Sequence, residues 1–140
     1  MTKEFKILDY EKLPRVDHGT GILTTMLISR QIGAENMTNG ITNFPPGTKL
    51  ALHYHNCDES VVILEGEGVA EVDGRRFPMK QFDAVYLPAG LPHRFLNQSD
   101  KPMKILWIYA ASHVTRTFVE TGVTVEHSSA EDEQMAARTA

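Results

Sequence analysis

The sequence contains one cysteine, no long apolar run and no cluster of basic residues, and each shortage excludes a class of protein. Cys57 has no partner for a disulfide within the chain, which fits a reducing compartment. No apolar run approaches the roughly 18 residues that a membrane span needs, and the opening residues mix acids and bases, unlike a signal peptide. We therefore expect a cytoplasmic protein that does not bind a membrane.

Positive charge is also in short supply. Lys and Arg number 14 against 18 Asp and Glu, which gives a formal net charge of −4. Because no basic stripe could neutralise a phosphate backbone, we expect no nucleic acid partner. The partner that we expect is a small-molecule substrate. The chain of 140 residues, 41% of them hydrophobic, has room for one domain with one core.

Helical periodicity is nearly absent, whereas short apolar or alternating runs recur between turn residues. The runs predicted to be strands are TTMLISRQIG, TNGITNF, KLALHYH, SVVILEG, GVAEVDG, AVYLPAG, HRFLNQ and MKILWIYA. Asp73-Gly74 predicts a tight hairpin, because the two central residues of such a turn need positive φ angles. Many short strands without helices between them indicate an all-β antiparallel sandwich or barrel.

After Gly122 the composition shifts to small and charged residues. Ser128 or Ser129 could cap a short helix over residues 130–138. We divide the chain into an N-terminal strand or arm (residues 1–19), a barrel (20–118) and a C-terminal extension (119–140) that forms a short helix or a tail.

Polar side chains interrupt the apolar strands in one region. His53 and His55 are one residue apart, so on a strand both side chains point to the same face. Glu59 follows a tight loop at residues 56–58, which could return its carboxylate to that face. His93 follows the turn-rich segment PAGLP. Imidazole nitrogens and carboxylate oxygens that converge from rigid strands are the ligands of divalent transition metals, so a metal would explain all four residues.

A histidine taken alone is more often an ordinary surface or core residue, and we leave His18, His113 and His127 in that class. The same explanation is weaker for the group around His53, because polar side chains buried in apolar strands without partners are costly. Cys57 lies inside this group. We expect it to be a small loop residue, in preference to a redox switch or a further ligand.

Two segments resemble the sequence motifs of the cupin superfamily. GTKLALHYHNCDESVVILEG, residues 47–66, has the first motif's spacing from glycine to His-x-His, to Glu and to a second glycine. PAGLPHRFLN, residues 88–97, has the Pro-x-Gly, His and Asn of the second motif, whose leading glycine is replaced here by Phe82. The resemblance covers roughly residues 20–112, and two long spacings in the right order make it specific.

The resemblance implies a small single-domain jelly-roll β-barrel in which His53, His55, Glu59 and His93 bind one divalent transition metal. Fe(II) or Mn(II) suits such a mixed nitrogen and oxygen set, although Zn, Ni or Cu could also occupy it. Small cupins are often homodimers, and the first predicted strand is a plausible pairing edge.

Residues that share the inward phase of the ligand-bearing strands are candidates for the pocket wall. They are Ala51, Val61, Ile63 and Phe95, together with Trp107 from the last long strand. Tyr109 alternates with Trp107 and is the candidate acid or base, although core packing is the commoner role for both. Arg30 and Glu71 are weaker candidates.

Three functions remain open. The first is an Fe(II)-dependent dioxygenase, an oxidoreductase whose metal binds the substrate and O2. The second is a non-redox isomerase, lyase or decarboxylase in which the metal acts as a Lewis acid. The third is a module that binds or senses a metal or small ligand without turnover. The complete ligand set favours an enzyme, with oxygenase chemistry slightly ahead.

Overall fold

The fold consists of strands in two antiparallel sheets, seen in a computed structural model that describes residues 3–136. The strands are β1 (Val16–Asp17), β2 (Leu23–Ile28), β3 (Thr38–Phe44), β4 (His53–His55), β5 (Glu59–Glu65), β6 (Gly68–Val72), β7 (Arg75–Met79), β8 (Ala84–Leu87), β9 (His93–Leu96), β10 (Met103–Tyr109), β11 (Thr115–Phe118) and β12 (Thr124–Glu126). The helices are α1 (Ala130–Met135) and two single 3₁₀ turns, Tyr10–Lys12 and Arg30–Ile32. No helix within residues 3–136 is long and apolar enough to cross a membrane.

Each sheet has six strands. The first has the order β1-β2-β3-β10-β5-β8 and the second the order β12-β11-β4-β9-β6-β7. Side chains alternate between buried and partly exposed along β3 and β10, and the buried ones join residues of the second sheet in a single core. Phe44 and Val61 of the first sheet and Phe95 and Phe118 of the second belong to this core. The predicted all-β jelly-roll barrel with a short C-terminal helix is confirmed.

The predicted hairpin joins β6 to β7. Asp73 and Gly74 have φ angles of 50° and 79°, and Val72 pairs directly with Arg75. A two-residue loop with both φ angles positive matches the right-handed twist of the flanking strands.

Phe82, which replaces the motif's glycine, also has a positive φ angle of 70°. Its backbone N–H donates to the carbonyl of Ile63, and its side chain is 73% exposed. A side chain in this left-handed region costs roughly 1–2 kcal/mol relative to glycine. The turn therefore forms at an energetic cost that no buried contact of the ring offsets.

Two predicted boundaries need correction. The first predicted strand ends earlier, because Ser29 caps a 3₁₀ turn at Arg30–Ile32 and β2 stops at Ile28. The expected C-terminal extension is not wholly outside the barrel, since β12 pairs with β11 at the edge of the second sheet. Ser129 caps α1 as predicted, and residues 137–138 of the expected helix lie outside the described residues.

Candidate metal centre

The four predicted ligands converge inside the barrel. His53 and His55 lie on β4 and His93 begins β9, so the three imidazoles come from neighbouring strands of the second sheet. Glu59 begins β5 in the facing sheet. All four side chains are buried, with 5% exposure or less.

Their donor atoms point at one another. One ring nitrogen from each of His53, His55 and His93 lies within 4.8 Å of the other two. Oε1 of Glu59 is 3.0 Å from Nε2 of His93 and 3.6 Å from Nε2 of His55. Nitrogen and oxygen atoms converging from fixed strands form the type of site that binds a divalent transition metal.

Backbone carbonyls hold the three rings in place. Each imidazole contacts a carbonyl oxygen through Nδ1: His53 with Ala51 at 2.6 Å, His55 with Thr115 at 3.0 Å and His93 with Leu91 at 2.9 Å. Because a carbonyl can only accept, Nδ1 must carry the hydrogen in every case. In the neutral rings, Nε2 is then left with its lone pair directed into the site, as a metal ligand requires.

Electrostatics favour the neutral rings. Burial, with Arg116 as the next contributor, lowers the pKa of His53 and of His55 well below the usual value for histidine. Both rings are therefore neutral at physiological pH, which is the state that binds a metal.

One contact needs a cation or a proton between its two atoms. Oε1 of Glu59 and Nε2 of His93 are both buried, and neither has a hydrogen-bond partner within residues 3–136. With Nδ1 protonated, two acceptor lone pairs face each other at 3.0 Å. Two such acceptors repel each other unless a cation or a proton lies between them. The residues present therefore fit a bound cation, and the buried cluster suggests a divalent metal.

Two of the ligands, His53 and Glu59, form part of the wall of an interior cavity of about 30 Å³. Phe95 and Trp107, two of the expected pocket residues, line it together with Tyr109, the candidate acid or base. Val61 and Ile63 instead pack in the hydrophobic core with no exposed surface. Ala51 is partly buried against that core and contributes its carbonyl to the ring of His53.

Tyr109 lies beside the ligands. Its hydroxyl is 3.3 Å from Nε2 of His55, close enough for a weak hydrogen bond in which the phenol donates. Burial, with the charge of Glu59 as the next cause, raises the pKa of Tyr109 well above its usual value. The phenol is therefore neutral at physiological pH and available as a hydrogen-bond donor.

Several cavity residues escaped the sequence analysis. His127 packs its ring against Trp107 and Tyr109, with centroid distances of 5.1 and 4.9 Å, and His18 also lines the cavity. Both remain ordinary hydrogen-bonded histidines, since the ring of His18 contacts the Thr24 hydroxyl and the Glu133 carbonyl, and the ring of His127 contacts the Ser128 hydroxyl. His113 does lie at the surface, where it contacts Glu126.

The cavity also contains a buried ion pair that the sequence analysis did not anticipate. Nη1 of Arg116 donates to Oδ1 of Asp132 at 3.0 Å. A sequence pattern could have indicated Arg116, because it alternates with the buried Val114 and Phe118 and so shares their inward face. The same argument places His127 on the face of Val125.

The weaker acid-base candidates lie elsewhere. Arg30 forms an exposed ion pair with Glu126. Glu71 forms ion pairs with Arg94 and Arg76, at 3.0 and 3.1 Å, across β6, β9 and β7. Neither side chain lines the cavity, so neither is placed to act as its acid or base.

Cys57 has an environment that does not favour a reactive thiol. Burial, assisted by the charges of Glu59 and Asp58, raises its pKa to about 11. The thiol is therefore protonated at neutral pH, whereas reactivity requires the thiolate. This agrees with the expected role as a loop residue.

Comparison with known proteins shows the family to which this chain belongs. MJ1618 of Methanocaldococcus jannaschii, described as uncharacterized, is 40% identical over 63 residues, covering 44% of this chain and half the length of the relative. Polyketide synthase CurC of Streptomyces cyaneus is 26% identical over 103 residues, covering 73% of this chain and 67% of CurC. Among solved structures, a cupin-superfamily sugar phosphate isomerase from Silicibacter pomeroyi superposes with a TM-score of 0.74 at 24% identity, covering 86% of each chain. The family profile described as Cupin domain matches residues 40–109, half of the chain, and with both motifs present in a jelly-roll barrel the protein belongs to the cupin superfamily.

Proposed function

We propose that the protein is a metal-dependent enzyme that acts on a small molecule. In this proposal His53, His55, Glu59 and His93 bind one divalent transition metal. The observation that carries the proposal is the contact between Oε1 of Glu59 and Nε2 of His93, two buried acceptors 3.0 Å apart. A protein that never held a cation there would gain stability from a donor at either position.

Three imidazoles and one carboxylate leave coordination positions open on a five- or six-coordinate ion. When bound, the metal would supply Lewis-acid polarisation of a substrate oxygen. Fe(II) or Mn(II) suits the mixed ligand set, and Zn, Ni or Cu could replace either.

The cavity residues favour non-redox chemistry, in which a proton is moved on the substrate. The neutral phenol of Tyr109 can donate a hydrogen bond to a substrate oxygen on which negative charge develops. Burial lowers the pKa of His127 to about 3, so its imidazole stays neutral at pH 7 and serves as a hydrogen-bonding group beside the substrate instead of a strong base. Phe95 and Trp107 exclude water from the same space. Isomerase, lyase and decarboxylase reactions all need this combination of a polarised oxygen and a protein acid or base.

An Fe(II)-dependent dioxygenase is the second candidate, supported by the ligand set and the enclosed cavity. The two candidates differ in their need for O2. With Fe(II) loaded, substrate turnover that consumes one O2 per product favours the dioxygenase, whereas equal turnover under argon favours the non-redox reaction. A protein that binds metal and ligands without turnover would be a binding module.

The metal itself is tested by elemental analysis of untagged protein purified without a metal-affinity resin. We expect about one transition metal per wild-type chain and a large loss in His53→Ala and His93→Ala. His113→Ala, which removes a surface histidine, is the matched control and should retain the metal. Full metal content in both ligand variants would refute the site.

A further inference from the structure

Arg116 is a buried cation beside the candidate metal centre. It lies on β11, pairs in register with His55 on β4, and lines the same cavity as Glu59 and Tyr109. Only 6% of its surface is exposed. A guanidinium removed from water in this way needs hydrogen-bond partners, because it cannot lose its charge.

The protein satisfies this guanidinium only in part. Nη1 donates to Asp132, but Nε is buried and has no partner anywhere in the described part of the chain. A buried N–H without an acceptor costs roughly 1–3 kcal/mol. The edge formed by Nε–H and Nη2–H is the one that binds a carboxylate side-on through two parallel hydrogen bonds.

Asp132 is not free to satisfy that edge as well. Its Oδ2 accepts the backbone N–H of Ser128 at 2.8 Å, which fixes the carboxylate at the start of α1. Charge also favours a further anion. With a divalent ion bound, the charges of Arg116, Glu59 and Asp132 leave one net positive charge in the cavity, which one carboxylate would neutralise.

We infer that Arg116 binds the carboxylate of the substrate, which would be a short 2-hydroxy or 2-oxo acid whose adjacent oxygen reaches the metal. This inference rests on the proposed function and names its substrate class. Arg116 would then orient the acid and the metal would polarise its second oxygen.

Isothermal titration calorimetry on Mn(II)-loaded protein tests the inference with two kinds of probe. Glycolate and pyruvate carry a carboxylate, whereas acetohydroxamic acid binds metals through two oxygens without one. In Arg116→Gln, the affinity for glycolate and pyruvate should fall by about 10- to 100-fold, as expected for a lost charge-assisted pair, while that for acetohydroxamic acid stays unchanged. Arg94→Gln, which breaks the ion pair with Glu71 outside the cavity, is the matched control and should bind all three probes like wild type.

Asp132→Asn is a second variant that still tests the inference if Arg116→Gln does not fold. Asp132 leaves the Nε edge free, but its negative charge repels a bound anion, so removing that charge should increase affinity for glycolate and pyruvate by about tenfold, a gain that an unfolded protein cannot produce. The inference would be overturned if both variants bound glycolate and pyruvate with wild-type affinity and still bound acetohydroxamic acid. That result would not affect the proposed metal site.

Failure of the proposed function gives a different pattern, because wild-type protein would then hold no metal and bind no acetohydroxamic acid. In that case glycolate is titrated into the metal-free protein. Binding that Arg116→Gln abolishes would support the role of Arg116 as a carboxylate site, and no binding would overturn it.

Discussion

Replacing Glu59 with glutamine should stabilise the metal-free protein. The new side-chain amide would offer an N–H to Nε2 of His93, in place of an acceptor that faces another acceptor at 3.0 Å. Pairing two buried groups that now lack partners contributes about 1 to 3 kcal/mol. For a chain of this length, 1 kcal/mol corresponds to about 3 °C in Tm, so Glu59→Gln should raise the Tm of metal-free protein by about 3 to 10 °C.

Metal should reverse this order. A metal present at about 1,000 times its Kd adds about 4.1 kcal/mol to the free energy of unfolding of wild type, more than the expected gain of Glu59→Gln. The Glu59→Gln variant lacks the anionic ligand, so the same metal concentration should stabilise it far less. Calorimetric Tm values of both proteins are therefore compared after exhaustive chelation and again after Mn(II) loading.

A matched control separates the site from a general effect of charge. Glu67→Gln removes an exposed carboxylate and should leave Tm unchanged in both conditions. If Glu59→Gln is no more stable than wild type without metal, the reasoning from facing acceptors fails. If both proteins respond equally to Mn(II), Glu59 is not a ligand.

The other predictions concern the turn, the thiol and the N-terminal arm. Phe82→Gly should raise the free energy of unfolding by about 1 kcal/mol in urea titrations, because glycine relieves the positive φ angle and Phe82→Ala does not. In mass-spectrometric time courses, Cys57 should react slowly with iodoacetamide at pH 7. The rate should rise about tenfold per pH unit toward pH 11, as the thiolate forms, and a fast reaction at pH 7 would contradict the raised pKa. We propose a homodimer stabilised by Phe5 and Ile7 of the N-terminal arm, whose side chains are 84% and 89% exposed in the single chain. Serine at both positions should halve the mass measured by light scattering, and an unchanged mass would exclude this contact.

The sequence predicted the fold and the ligand region well where the pattern is local. β3 coincides with the predicted run TNGITNF, because a short run with β-branched Thr and Ile and an aromatic Phe that ends at a Pro-Pro-Gly turn is a strong strand signal. The hairpin at Asp73-Gly74 follows from turn chemistry within four residues. In both cases the residues that determine the structure lie within a few positions of one another in the sequence.

The cavity beyond the ligands was harder to predict. Arg116 and His127 belong to strands and turns of three or four residues, too short for alternation to be distinctive. Their partners are far away in the chain, as with His127 against Trp107. The environment of both side chains depends on how the two sheets pack against each other, which is determined by the whole barrel.

The position of Glu59 explains why the His-x-His-x₃-Glu spacing is so informative. β4 and β5 follow each other in the chain but lie in different sheets, so the chain crosses the barrel within residues 56–58. Histidines and carboxylate that are local in sequence therefore approach the site from opposite sheets. A metal held between them would join the two sheets at the point where the chain crosses. Because the two sheets are held there by one short loop, the length of that loop sets the distance between Glu59 and the imidazoles.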